Sequence, residues 1–206
     1  MTQLMKISNA TAVVLAGGRS VRMGEDKRFI KIGEQTLFDR VVDCVESLFE
    51  EVIISVASEP NGLPTRGHRV VADAMPNCAT LGGVYSSLEA SIRDWIFAVA
   101  CDMPLVNLSV IRRLADARDD VDFVMARVKS RLQPMHAFYR KTCLPVLAEM
   151  ARGGDFRLQG LVSNQMLQGL VLTDSEVIQS AEEALSFLNV NTPTDLALAR
   201  ELLERE

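Results

Sequence analysis

The run Ala12-Val13-Val14-Leu15-Ala16, closed at once by Gly17-Gly18, constrains this chain more than any other segment. Five consecutive aliphatic residues with no polar alternate suit a strand buried on both faces, and such strands belong to parallel sheets covered by helices. The segment that follows repeats the theme. Leu37, Val41, Val42, Val45 and Leu48 recur at spacings of three and four behind Thr36, which predicts a capped helix. Val52-Ile53-Ile54-Ser55-Val56 then returns to strand, so the first two strands are predicted to run parallel through a right-handed crossover.

Beyond a Pro-, Gly- and charge-rich loop at 58–69, the pattern predicts a short strand at Val70-Val71 and a helix over 81–92. It also predicts a fully buried strand over 95–100 and a helix over 108–117. Further strands are expected at 123–126 and 135–139, with helices near 144–150 and 158–162. Asn191-Thr192-Pro193-Thr194-Asp195 before Leu196, Leu198, Leu202 and Leu203 signals a last helix, with Asn191 expected as its cap. The 206 residues contain no linker, repeat or low-complexity stretch. The expectation is therefore one three-layer α/β domain over 1–206 with a mostly parallel central sheet.

Composition removes several function classes. Twenty-two Lys and Arg against 27 Asp and Glu leave a net charge of −5, so no global positive field draws in nucleic acid and an anion site must be built locally. Cys44, Cys78, Cys101 and Cys143 lie far apart, and with only His68 and His136 beside them they show no zinc-type spacing. They read as the reduced thiols of a cytoplasmic protein. No apolar stretch approaches the roughly 18 residues of a membrane span, so no membrane partner is expected.

Directly after the first strand, residues 15–27 read Leu-Ala-Gly-Gly-Arg-Ser-Val-Arg-Met-Gly-Glu-Asp-Lys. Glycines let backbone amides approach an anion closely, and Arg19, Arg22 and Lys27 are placed to neutralise phosphate charge. The loop is neither a Walker loop, since Gly24 is followed by Glu25, nor a dinucleotide fingerprint, since Gly17 and Gly18 are contiguous. Asp102 follows the strand ending at Ala100, so it emerges at the carboxyl edge of the sheet, where open α/β folds bind ligands. There it is either a ligand for magnesium or the cap of the turn before Pro104. Asp73 emerges at the same edge, either toward a ligand or as a simple turn residue. His136 alternates with apolar neighbours and reads as a satisfied structural histidine rather than a base. Asn189 and Asn191 fall at alternating positions and can face one side.

These segments together resemble the molybdenum cofactor guanylyltransferases, whose pattern Leu-Ala-Gly-Gly-x-Ser-x-Arg-Met-Gly-x-Asp-Lys stands complete from Leu15 to Lys27. The resemblance continues through Asp73, Leu81-Gly82-Gly83, Cys101-Asp102-Met103-Pro104, Pro134-Met135-His136-Ala137 and Asn189-Val190-Asn191-Thr192-Pro193. It implies a Rossmann-like nucleotidyltransferase that joins GMP from GTP to molybdopterin, with magnesium as cofactor. Transient contact with cofactor-biosynthesis or acceptor proteins is also implied. Carried over, Leu15, Ala16 and Gly17 line guanine and ribose, and Gly18 and Gly83 join the GTP-binding set. Arg22 and Lys27 meet the triphosphate and, with Asp102, form the catalytic set; Asp73 positions the nucleotide and Asp102 holds the metal. Arg157, Asn189 and Asn191 face the pterin. The doubled glycine resembles guanylyl members, since cytidylyl members usually carry Ala where Gly17 stands.

Two departures bear on base and acceptor. Ala79-Thr80 stands where the family commonly has Gly-Pro, and Ala57-Ser58-Glu59 where it often has Ala-Asn-Arg. A cytidylyl- or sugar-phosphate nucleotidyltransferase, and a non-catalytic nucleotide-binding protein, are the alternative readings.

Overall fold

The structure, a computed structural model, describes residues 5–17, 26–59 and 62–203. The first half of the chain contains β1 (Ala10–Leu15), β2 (Lys31–Ile32), β3 (Gln35–Thr36), α1 (Leu37–Leu48), β4 (Glu51–Val56), β5 (Arg69–Ala72), α2 (Ala79–Ala90) and β6 (Trp95–Ala100). Then follow α3 (Leu108–Asp116), β7 (Phe123–Val128), β8 (Arg131–Arg140), α4 (Leu144–Arg152), β9 (Gly169–Leu172), two single-turn helices, α5 (Asp174–Val177) and α6 (Ala181–Ala184), and finally α7 (Pro193–Leu203).

Seven strands form one sheet in the order β5-β4-β1-β6-β8-β7-β9. The β5-β4-β1-β6 half is wholly parallel, β8 runs antiparallel to both its neighbours, and β9 returns parallel to β7. The expected parallel pairing of the first two long strands is present, with Val13 opposite Ile53 and Leu15 opposite Ser55. β1 lies inside the parallel half, with one edge taken by β4 and the other by β6.

Strand alternation divides the core between the two faces of the sheet. Ala12, Val14, Ile54, Phe97, Val99, Val124 and Phe138 point to one side, where α1 contributes Phe38, Val41, Val42, Val45 and Leu48 and α3 contributes Val110, Ile111 and Leu114. Val13, Ile53, Ile96, Ala98, Met125, Ala137 and Tyr139 point to the other, against Leu81, Val84 and Leu88 of α2 and Val146 and Leu147 of α4. Each such side chain, fully buried, contributes about 1.5–3 kcal/mol. Side-chain caps fix the starts of α1 and α3. Thr36 Oγ1 accepts the Asp39 amide at 3.0 Å, and Asn107 Oδ1 accepts the Ser109 amide at 2.9 Å.

Several elements differ from the sequence reading. β8 is longer than expected because β7 and β8 form a hairpin closed by Lys129 and Ser130, whose φ values of 48° and 63° give the left-handed pair such a turn requires. Neither residue is the Asn or Gly that would advertise it. The helix expected near 158–162 is present, wound as a 3-10 helix over 158–163. The edge strand β9 and the small β2–β3 hairpin lie in stretches with too few residues to show a period.

His136 is structural, yet it is not satisfied as expected. It is fully buried between Phe97 and Phe187 at centroid distances of 5.2 and 4.7 Å, and the Ser186 backbone is the polar group that faces its ring, too far or too poorly aligned for a full hydrogen bond. Burial pushes its pKa down to about 3, so the folded state holds it neutral. The unfolded chain takes up the proton first, so this contribution to stability is whole above the ordinary histidine pKa of about 6.5 and is lost as pH falls toward 3. Between pH 7 and pH 5 the loss is expected to be about 2 kcal/mol. Urea denaturation at the two pH values checks this: His136→Leu should lose less stability over that interval than the parent by about that amount.

Candidate active site

Parallel strands in register end at one edge. Leu15 pairs with Ser55 and with Ala100, and Val56 pairs with Ala72, so the ends of β1, β4, β5 and β6 open side by side. One further backbone bond extends each ladder before the chain turns away: Ala16 N–H to Ser55 O at 2.8 Å, Asp73 N–H to Val56 O at 2.9 Å, and Cys101 N–H to Leu15 O at 3.2 Å. Because β8 is antiparallel, its beginning reaches the same edge, with His136 opposite Val99 and Met135 just beyond. The result is a cleft of about 780 Å³.

Of the residues singled out from the sequence, Leu15, Ala16, Gly17, Lys27, Asp73, Gly83, Asp102 and Asn191 line this cleft. Gly18, Arg19 and Arg22 lie outside the described residues. Arg157 is exposed, donates to Asp155 at 3.0 Å and does not line the cleft. Asn189 turns its amide back to the Phe187 carbonyl at 3.2 Å and is likewise not part of the lining. The expectation that Asn191 caps the last helix is corrected. Thr192 is the cap, accepting the Asp195 amide at 3.2 Å, while the Asp195 carboxylate accepts the Asn191 and Thr192 amides at 3.0 and 2.8 Å. That leaves the Asn191 side chain for the cleft.

Lys27 sits in a 3-10 turn over Lys27–Phe29 capped by Asp26. Its ammonium donates to Asp102 Oδ2 at 3.2 Å and to Asn191 Oδ1 at 2.7 Å. The other oxygen of Asp102, Oδ1, is buried with no hydrogen-bond partner among the described residues. An unpartnered buried carboxylate oxygen is costly, and at the wall of an open cleft it fits a cation that enters with its ligand. No group of three metal-ligating side chains exists among the described residues. A divalent ion held at Asp102 would fill its remaining positions with phosphate oxygens and water, which is the coordination magnesium favours.

Asp73 accepts the Met75 amide at 2.7 Å. Burial nevertheless raises its pKa above the usual aspartate value, with the Met75 amide pulling the other way. Its carboxylate rests over α2 where a Cβ on Gly82 would come within 2.4 Å of both oxygens. A Cβ on Gly17 would come 2.9 Å from the Ala57 backbone nitrogen, so this position admits a bare glycine only. Gly17 therefore answers a close approach of two strand ends.

The sequence reading missed Arg28, Ser55, Asn77 and Met135, all of which line the cleft. Arg28 was legible as one more cation beside Lys27. Its guanidinium forks onto Asp26, with Nε at 2.9 Å from Oδ1 and Nη2 at 2.5 Å from Oδ2. The departure at Ala79-Thr80 lies in the wall of the cleft. Ala79 adopts φ of 49°, a left-handed backbone that costs a side-chain-bearing residue about 1–2 kcal/mol and a glycine nothing.

Residues 12–168 match the family model of the MobA-like NTP transferase domain. A probable molybdenum cofactor guanylyltransferase from Pelotomaculum thermopropionicum is 33% identical over 95% of this chain and 94% of its own length. One from Chloroflexus aggregans is 34% identical over 94% of each chain. In fold, the chain is similar to the crystal structure of molybdopterin-guanine dinucleotide biosynthesis protein A from Archaeoglobus fulgidus. The TM-score is 0.82 and the identity 20%, over 95% of this chain and 100% of that one.

The two glycine contacts lead to opposite expectations. Gly17→Ala forces apart two backbone segments and is expected to cost about 1–3 kcal/mol. Gly82→Ala meets only the end of one side chain and gains helix propensity, so its stability should stay within about 1 kcal/mol of the parent. Urea denaturation of both variants measures the contrast.

Proposed function

The chain belongs to the family of MobA-like NTP transferase domains, and on that premise we propose that it transfers GMP from GTP to molybdopterin, releasing pyrophosphate. The whole of 1–206 acts as one nucleotidyltransferase domain in this reading, working in the cytoplasm; among the described residues no helix is long and apolar enough to cross a membrane. The observation that carries the proposal is the convergence of Lys27 and Asp102, 3.2 Å apart, on the cleft at the carboxyl edge.

In the reaction an oxygen of the terminal phosphate of molybdopterin attacks the α-phosphorus of GTP. The new P–O bond forms as the bond from the α-phosphorus to the bridging oxygen breaks, and pyrophosphate leaves with that electron pair. The attacking phosphate is already ionised, so no side chain need remove a proton, and the protein's task is alignment and charge neutralisation. Lys27, together with Arg22, meets the triphosphate. Leu15, Ala16, Gly17, Gly18 and Gly83 form the nucleotide floor, and Asp73 holds the nucleoside end. Magnesium at Asp102 supplies further charge neutralisation when bound. The assignment of Arg157, Asn189 and Asn191 to the pterin side rests on the resemblance; of the three, Asn191 lines the cleft.

Guanine rather than cytosine is favoured in this reading by the doubled glycine Gly17-Gly18, which resembles guanylyl members where cytidylyl members usually carry Ala at the first position. Pyrophosphate release from GTP, and separately from CTP, in the presence of molybdopterin and magnesium tests the proposal. Release from GTP alone, lost in Asp102→Asn, is the expected result. Release from CTP alone would move the base assignment, and release from neither would return the protein to a binding role.

Lys27→Ala is expected to lose about 2–4 kcal/mol of transition-state stabilisation, read as kcat/KM for GTP. Gly82→Ala, near neutral in stability, should weaken GTP binding by displacing the Asp73 carboxylate, which equilibrium titration with GTP would detect.

A further inference from the structure

The Lys27 turn is held by a part of the chain far from it in sequence. Ile30 and Ile32, immediately after the turn, belong to a third and separate core with Leu37, Val190 and Ala199, against which Leu188, Leu196 and Leu203 pack. That core is the apolar contact between the β2–β3 hairpin region and the C-terminal segment ending in α7. Arg200 adds a bond from Nη2 to the Lys31 carbonyl at 3.2 Å. The same C-terminal segment is pinned to the sheet edge, where the Val190 amide donates to the Asp102 carbonyl at 2.8 Å. Asn191 thus sits one residue beyond an anchor on Asp102 and one before the cap of α7.

Its side chain completes the connection. An ammonium has three donors and no acceptor, so the atom of Asn191 that meets Lys27 at 2.7 Å is the carbonyl oxygen. Lys27 carries four rotatable side-chain bonds, and an ammonium on such a stem is poorly placed without partners. Two of its three N–H groups are directed by Asp102 and Asn191, which leaves the third for an acceptor in the cleft that all three residues line. Asp102 cannot serve this purpose alone, because its carboxylate is also the group that would hold a metal. Asn191 is neutral and can stay on Lys27 whether or not a cation enters.

We infer that Asn191 is a positioning residue for Lys27: its side-chain oxygen, fixed by the α7 cap and the Val190–Asp102 contact, aims the ammonium into the nucleotide phosphate end of the cleft. This rests on the proposed nucleotidyl transfer and revises the part of it that sends Asn191 to the pterin. The two roles differ before any acceptor is present. A residue that touches only the pterin leaves GTP binding unchanged, whereas one that aims Lys27 alters it through Lys27.

The experiment is calorimetric titration of magnesium-GTP into the full chain without molybdopterin, for the parent, Asn191→Leu, Lys27→Met and the double variant, with thermal melting as the check on folding. Asn191→Leu is expected to weaken GTP binding roughly tenfold, and in the Lys27→Met background it should add nothing. Asn191→Gln keeps a neutral amide oxygen and should rank between the parent and Asn191→Leu; it carries the test if the leucine variant does not fold. Unchanged GTP affinity in Asn191→Leu, or losses from Asn191→Leu and Lys27→Met that simply add, would overturn the inference while leaving the proposed function standing. A parent that binds no GTP would instead overturn the proposed function, and the inference with it.

Discussion

The central constraint on this molecule is that β1 is paired on both edges and buried on both faces. Its five-residue pairing with β4 and six-residue pairing with β6 are parallel and in register at their ends. Parallel strands cannot be joined by a tight turn, so their connections must cross a face of the sheet; α1 lies in the connection from β1 to β4 and α2 in that from β5 to β6, while no helix lies among the described residues between β4 and β5. The same register sends each strand's next residue out at one edge. Ala16, Ala57, Asp73 and Cys101 are neighbours there for that reason alone, although they are spread over eighty-odd positions of sequence.

What the edge collects is then sorted by electrostatics. Lys27 is brought to Asp102 by a turn that Asp26 caps and Arg28 braces, so cation and anion meet at the wall of the cleft with little exposure. One oxygen of Asp102 is compensated by Lys27 and the other has no hydrogen-bond partner among the described residues. A fully compensated pair would be a structural ion pair; this one keeps an acceptor in reserve, which is what a ligand-binding wall requires. The close approaches at Gly17 and Gly82 belong to the same economy of space, because side chains there would press on the β4 end and on Asp73.

The C-terminal segment makes the cleft more than a property of the sheet. Its third core grips the residues that follow Lys27, and Asn191 reaches the ammonium itself. His136 shows the opposite use of burial. It is kept neutral among Phe97 and Phe187, beneath the segment that leads to Asn191, and its burial lowers stability in acid without offering any group to the cleft.

Much of this was legible in one dimension because burial leaves a period. The alternation in β1, β4 and β6, the three-and-four spacing of α1 and the Thr36 cap all follow from which side chains must leave water, and Asp73 and Asp102 could be placed at the carboxyl edge by counting from strand ends. The two-residue β2 and β3 and the four-residue β9 were not legible, since so few residues carry no period; nor was the Lys129-Ser130 turn, whose residues do not favour the backbone they adopt. The inventory of charged and glycine residues at the site was therefore a property of the sequence. Which of them touch was decided only by the tertiary structure. The bond from Lys27 to Asn191 spans 164 positions and depends on how α7 packs on a small separate core, while Arg157 and Asn189, equally polar in sequence, are directed to Asp155 and to the Phe187 carbonyl. Local pattern records what must be buried; it does not record the partner that a flexible polar side chain finds once the chain has folded.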